Sequence, residues 1–95
     1  MQLDKNRPAL VLTRQSKLHL LRWVTVAPIT GTLRGITSEV IVGPRNGLDH
    51  DSVVSCDNIT TVPAEAVGKA IGLLFDDQEP ELARAIGDAF DLFIP

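Results

Sequence analysis

Apolar positions fall into short runs along most of this chain and change to a helical rhythm only near its end. The run Ala9-Leu10-Val11-Leu12-Thr13 reads as a buried strand. Pro8 pushes Arg7 towards an extended backbone, and a proline at the opening of a strand removes no ladder donor. Arg22-Trp23-Val24-Thr25-Val26-Ala27 reads as a second strand, which meets Pro28 and should therefore end there or lie at an edge. Thr30-Gly31-Thr32-Leu33-Arg34-Gly35 is a polar, glycine-punctuated loop. Glu39-Val40-Ile41-Val42 is a short strand closed by Gly43-Pro44, and Asn46-Gly47 marks a turn.

Two further β-rich pieces, Ser52-Val53-Val54-Ser55-Cys56 and Ile59-Thr60-Thr61-Val62, are separated by polar Asp57-Asn58, the pattern of a bulge or bend that re-aims side chains. Residues 63 to 67 suit one helical turn, and Ala70-Ile71-Gly72-Leu73-Leu74-Phe75 reads as a final strand. Leu82, Ala85, Ile86, Ala89, Phe90 and Phe93 then follow the spacing of an amphipathic helix, with Asp77 placed to cap it and Pro80 tolerated in its first turn. Short strands followed by one helix predict a mainly β fold with a C-terminal α-helix: a small, strongly bent sheet or partly open barrel with the helix laid on it.

The 95 residues allow one modest core, so the chain reads as a single domain over 1–95 that leans on a partner or a second copy for stability. No apolar run approaches the roughly 20 residues needed to cross a bilayer, and the start lacks the layout of a signal peptide. A cytoplasmic protein with no membrane partner is expected. Cys56 is the only cysteine, which excludes an internal disulfide and a thiolate metal cage, and its apolar flanks favour a buried side chain over a nucleophile. His19 and His50 are too isolated to form a metal site, and each reads as a surface residue. No metal and no cofactor is expected.

The net charge of −3 conceals an asymmetry. Residues 1–45 carry seven basic and two acidic side chains, a net +5, whereas residues 46–95 carry two basic and ten acidic, a net −8. A polyanion responds to local field more than to the total, so the basic half leaves room for a nucleic acid partner; charges scattered over solvated faces account for the numbers equally well.

Paired carboxylates, glycine-rich phosphate loops, nucleophile elbows and metal-spaced clusters do not occur in this sequence. Polar residues do flank the strands at Arg7, Thr30 and Asp57-Asn58, where loops on a stiff sheet often carry function. From spacing alone the plainer readings are the stronger: an Arg7 surface ion pair with Asp4, and a turn hydroxyl at Thr30.

Four blocks in order change that balance. Asn6-Arg7-Pro8-Ala9-Leu10-Val11-Leu12-Thr13, Val26-Ala27-Pro28-Ile29-Thr30, Ser38-Glu39-Val40 and Asp57-Asn58-Ile59-Thr60-Thr61-Val62 together resemble the MazF/PemK toxin family, and they span most of the chain. The resemblance implies a small SH3-like barrel and an active homodimer. It also implies sequence-selective cleavage of single-stranded RNA, mRNA included, by a toxin that a cognate antitoxin with an acidic flexible tail inhibits. Family members need no metal and leave a 2′,3′-cyclic phosphate, so the attacking group is the RNA's own 2′-hydroxyl. Carried onto this chain, the resemblance makes Arg7 and Thr30 the catalytic pair. It places Asp57 and Asn58 in the RNA groove, and Lys5, Asn6, Arg14 and Arg34 among the RNA-binding residues. A guanidinium suits the charge that builds on phosphate oxygens in such a displacement, but is a poor base because its pKa exceeds about 12.

The start departs from the family. Only Met1-Gln2-Leu3-Asp4 stands before the basic block, where relatives carry a fuller first strand, so either the chain begins inside that strand or most of it is missing. Two other readings follow from the resemblance. Related toxins act without catalysis by binding DNA gyrase through a tryptophan-containing helix tip, a pattern from which this tail, Leu92-Phe93-Ile94-Pro95, departs. A degenerate toxin that only binds its antitoxin is the other.

Overall fold

The structure, a computed structural model, describes residues 2–4, 7–13, 20–68 and 70–90, with 2–4 and 7 given by their backbone. Its strands are β1 (Gln2–Asp4), β2 (Arg7–Val11), β3 (Trp23–Thr30), β4 (Glu39–Val42), β5 (Ser52–Ser55) and β6 (Thr60–Pro63). One-turn 3₁₀ helices occupy Pro44–Asn46, Cys56–Asn58 and Ala64–Ala66, and one α-helix, α1, spans Glu79–Ala89. All strand pairs are antiparallel, in the order β1-β2-β3-β5-β4, with β6 also paired to β3. Among the described residues the sheet stays open, as the mainly β reading with a C-terminal helix anticipates. A short β1 is present, with Asp4 opposite Arg7.

β3 is the spine. It has β2 along one side; on the other, its first half pairs with β6 up to Val26 opposite Thr60, and its end pairs with β5, Ile29 opposite Val54 and Thr30 opposite Val53. An unbroken ladder would set Ile29 against Asp57. It meets Val54 instead, so three residues are looped out of register, the length of the turn Cys56–Asn58. The bend expected at Asp57-Asn58 is therefore real.

This change of partner corrects the reading that β3 stops at Pro28 or lies at an edge. β3 runs through Pro28 to Thr30 in the middle of the sheet. Leu12 N–H donates to Thr25 O at 2.8 Å, so in antiparallel alternation Thr25, Ala27 and Ile29 bond towards β2 while Pro28 faces the other way. There it lies between its neighbours' partners, opposite the looped-out turn, and its missing N–H interrupts no ladder bond.

Alternation along β2 and β3 feeds two cores. Leu10, Ala27 and Ile29 join Val40, Val42, Val54 and Cys56 beneath Leu82, Ala85, Ile86 and Ala89 of α1. Ala9, Val11, Val24 and Val26 form a second cluster with Val62, Ala64 and Val67. Val26, Val53 and Val54 are fully buried, each contributing about 1.5–2 kcal/mol by its removal from water.

Residues 70–75, expected to form a strand, are irregular. Their backbone groups are taken by side chains instead: Asn46 Nδ2 donates to Leu73 O at 2.8 Å, and Phe75 N–H donates to Gln78 Oε1 at 3.0 Å. Gly72 abuts the Asn46 carbonyl so closely that there is no room for a Cβ. Nor does Asp77 cap α1. Gln78 is the N-cap residue, and the Asp77 carboxylate is held by Arg45 at 2.7 and 3.0 Å. Phe90 follows the helix end and is exposed, and Phe93 lies outside the described residues.

Candidate functional site

One row of residues crosses the sheet. Ile41 on β4 is opposite Val53 on β5, and Val53 is opposite Thr30 on β3. On the far side of β3 the ladder with β2 runs Val11–Val26, Leu10–Ala27, Ala9–Pro28. Continued by two residues, that register sets Arg7 across from Thr30. The alternation that makes Leu12 and Thr25 a hydrogen-bonded pair makes positions 7 and 30 a non-bonded one, the kind whose Cα atoms approach to about 4.5 Å. Both positions share the alternation of Ala9 and Val26, so they lie on the sheet face opposite α1. Arg7 begins β2 and Thr30 ends the adjacent β3, so on this extrapolated register two residues far apart in sequence become neighbours.

Thr30 is exposed at the end of β3, and its Oγ1 accepts the N–H of Thr32 at 3.2 Å. That bond uses a lone pair and leaves the hydroxyl proton for donation. Gly31 follows with the His50 imidazole against it: a Cβ there would lie 2.8 Å from His50 Nε2. His50 is exposed, in keeping with its reading as a surface residue, and His19 lies outside the described residues.

Beyond Thr30 the loop to β4 is gathered by one carboxylate. Glu39, whose side chain is only 4% exposed, accepts the backbone N–H groups of Arg34 (3.1 Å), Gly35 (3.0 Å) and Ile36 (3.4 Å), and Nε of Arg34 (3.3 Å). Burial pushes its pKa up, but the hydrogen bonds from Arg34, Ile36 and Gly35 outweigh that and hold it below the ordinary carboxylate range. Ser38, beside it, donates its hydroxyl to Asp57 Oδ2 at 2.5 Å, and the same oxygen stands 3.9 Å from Arg34 Nη2. Arg34, Ser38, Glu39 and Asp57 therefore form a ring that ties the β3–β4 loop to the looped-out turn. From α1, Arg84 donates to Thr37 O at 2.8 Å and pins the loop's far end.

Of the residues singled out from sequence, Arg7 begins β2 and Thr30 ends the adjacent β3, and Arg34 and Asp57 are joined in the ring. Asn58 sits on the same turn, its Nδ2 donating to Ser55 Oγ at 3.0 Å. Lys5, Asn6 and Arg14 lie outside the described residues. Cys56 is fully buried, and burial, then the neighbouring Asp57 charge, push its thiol pKa up, a poor setting for a nucleophile. Sequence reasoning missed the organising role of Glu39. The available signal was that it is one of two acids in the basic half of the chain.

Among the described residues no group of three or more His, Cys, Asp or Glu side chains could hold a metal ion. No described helix is long and apolar enough to cross a membrane. An apolar cavity of about 40 Å³, lined in part by Ala9, Leu10, Ile29 and Val54, opens beside the core and is too small for a nucleotide.

Residues 2–90 match the family model described as PemK-like, MazF-like toxin of type II toxin-antitoxin system. The chain belongs to that family. A Mycobacterium tuberculosis protein named Endoribonuclease MazF3 is 57% identical over 91 residues, covering 96% of this chain and 88% of the relative. The solved Mycobacterium tuberculosis toxin MazF-mt6 superposes with a TM-score of 0.92 at 56% identity, covering 98% of this chain and 94% of that one. A structure titled as an endoribonuclease in complex with its cognate antitoxin from Mycobacterial species shares the fold, with a TM-score of 0.83 at 24% identity over 99% of this chain and 92% of that one. The resemblance to the MazF/PemK toxins read from the four sequence blocks is borne out.

Proposed function

We propose that this chain is a toxin endoribonuclease. It cleaves single-stranded RNA, mRNA included, at selected sequences and without a metal, and a cognate antitoxin silences it. What supports this reading is the β2–β3 ladder, whose continuation beyond Ala9 opposite Pro28 would bring position 7 to position 30, in a chain of this toxin family whose relatives are named endoribonucleases.

The 2′-oxygen of one nucleotide attacks the adjacent phosphorus and loses its proton as the new P–O bond forms. The bond from phosphorus to the 5′-oxygen of the next nucleotide breaks, that oxygen takes up a proton, and a 2′,3′-cyclic phosphate and a 5′-hydroxyl remain. Negative charge concentrates on the non-bridging oxygens on the way. An arginine at position 7 supplies fixed, permanently charged donors for it and acts as electrostatic stabiliser, not as base. Thr30, whose hydroxyl proton is unspent among the described residues, donates to the same phosphate or relays a proton to the leaving oxygen.

Lys5, Asn6, Arg14 and Arg34 contact the RNA backbone, and Asp57 and Asn58 on the looped-out turn read exposed base edges. The working form is a homodimer in the cytoplasm. The antitoxin's acidic tail competes with RNA for the basic side chains.

The test is cleavage of a mixed-sequence single-stranded RNA by the purified protein in excess EDTA, with product ends identified by mass spectrometry. Cyclic phosphate ends, and loss of cutting in a folded Arg7→Ala variant, are the expected results. Undiminished cutting by Arg7→Ala would remove the assignment.

A further inference from the structure

Glu39 does more in this structure than pair with a cation. Its two oxygens divide the work: Oε1 takes the backbone N–H groups of Arg34, Gly35 and Ile36, and Oε2 takes the Arg34 Nε. One buried carboxylate thus fixes both the backbone from which Arg34 springs and the near edge of its guanidinium. The far edge is treated differently. Nη2 stands 3.9 Å from Asp57 Oδ2, beyond hydrogen-bonding length, and the Arg34 side chain remains 52% exposed. A guanidinium held at Nε, whose outer edge makes only a loose ion pair with Asp57 among the described residues, is an anion receptor whose ordering cost has been met within the fold.

The position agrees with that reading. Glu39 is two residues from Ile41 along β4, and Ile41, Val53 and Thr30 lie in one row. By strand spacing Glu39 is roughly 12 Å from Thr30. It shares the alternation of Ile41, so the clamp and the candidate site open on one face of the sheet. Resting on the endoribonuclease reading above, we propose that Glu39 is a positioning residue for RNA, holding Arg34 so that its outer edge receives a backbone phosphate next to the scissile one. Asp57 gives that edge a weak partner in the unbound protein, which the phosphate replaces.

The sign of one substitution separates this role from simple electrostatics. Removing a negative charge near a polyanion site should tighten RNA binding, whereas releasing Arg34 from its clamp should weaken it. The probe is a mixed-sequence single-stranded RNA with 2′-O-methyl sugars, which binds but carries no free 2′-hydroxyl to attack, titrated over a range of salt. Glu39→Gln should weaken binding about 5-fold and flatten the salt dependence by about 0.7 in log–log slope, the value for one lost phosphate contact on a single strand. Arg34→Gln should do the same, and Glu39→Gln in the Arg34→Gln background should add less than 2-fold. On cleavable RNA, Glu39→Gln should raise KM and leave kcat within about 2-fold.

Arg34→Lys keeps the charge but cannot keep the Nε bond, and it leaves Glu39 in place should Glu39→Gln fold poorly. Positioning predicts that Arg34→Lys binds as weakly as Arg34→Gln. Binding by Glu39→Gln that is unchanged or tighter, an equal loss in the Arg34→Gln background, or wild-type binding by Arg34→Lys each overturns the proposal while leaving the nuclease reading intact. A wild-type protein that neither binds nor cuts RNA overturns both.

Discussion

Asn46 and Gln78 exchange two hydrogen bonds across the interior: Asn46 Nδ2 donates to Gln78 Oε1 at 2.7 Å, and Gln78 Nε2 returns a bond to Asn46 Oδ1 at 3.2 Å. Each amide also serves main-chain groups. Asn46 bonds Gly43 N–H and Leu73 O, while Gln78 bonds Phe75 N–H and Ile41 O. The Gln78 bond covers a carbonyl of the edge strand β4, and the pair together stands in for the ladder that residues 70–75 lack. Either truncation leaves several buried polar groups without partners, at about 1–3 kcal/mol each where water cannot enter. Asn46→Ala and Gln78→Ala are each expected to lower unfolding free energy by at least about 2 kcal/mol. Urea denaturation followed by circular dichroism gives the value, and a loss below about 0.5 kcal/mol would mean that the network is solvated.

Two glycines should respond with opposite signs. At Gly72 a Cβ would collide with the main chain at Asn46, so Gly72→Ala is expected to destabilise by about 3 kcal/mol or to prevent folding. Gly87 lies within α1, and a Cβ there meets nothing within 4 Å. Gly87→Ala should stabilise by about 0.5–1 kcal/mol, because it removes freedom from the unfolded chain and favours the helix. Thermal unfolding of the two variants side by side settles both signs.

The depressed pKa of Glu39 has a direction in pH. A carboxyl held below its ordinary value of 4.5 stabilises the fold above that value, and the contribution is lost as pH falls through the folded-state pKa. Wild type should therefore exceed Glu39→Gln in stability at pH 6, with the difference shrinking from about pH 4.5 downwards. Asp77, lowered chiefly by its hydrogen bonds from Arg45, contributes with the same sign and cancels when the two proteins are compared. Urea midpoints measured at pH 3, 4, 5 and 6 provide the comparison; a difference that grows on acidification contradicts the assignment.

At the candidate site, substitution should affect turnover without affecting the fold. Loss of one preorganised donor to a developing oxyanion typically costs about 100- to 1,000-fold in kcat. Arg7→Ala is expected to reach that range or exceed it. Arg7→Lys should recover only a small part, because an ammonium lacks the planar fork. Thr30→Val keeps the shape and should cost less than Arg7→Ala. Single-turnover cleavage at saturating enzyme reads these rates directly, and a Thr30→Val variant slower than Arg7→Ala would reverse the two roles.

What could be read in advance was whatever depends on neighbouring residues. The apolar runs of β2 to β6 and the 3.6-residue rhythm of α1 are visible locally, as is the break at Asp57-Asn58. What escaped depends on distant partners. Pro28 reads as the stop of β3 in the sequence because the partner change that makes its missing donor harmless is decided by residues 53–60. Residues 70–75 are apolar enough for a strand, but their main chain is claimed by Asn46 and Gln78, and Gly72 marks the tight approach only in hindsight. Asp77 is well placed to cap α1 and is drawn away by Arg45. At the site, Arg34 and Asp57 were recognisable as charged loop residues, while their connection through Glu39 required the fold.

The looped-out turn at Cys56–Asn58 has an evolutionary corollary. Independent ladders on β5 and β6 fix the chain on either side of it, and Pro28 demands nothing of the residues opposite. Descendants of this gene can therefore exchange the exposed Asn58 side chain, or lengthen the excursion beside it, while buried Cys56 and the Asp57 contacts to Ser38 and Arg34 keep the scaffold aligned. A lineage with such a spare segment beside its working surface can diversify what it recognises through changes that leave folding largely untouched.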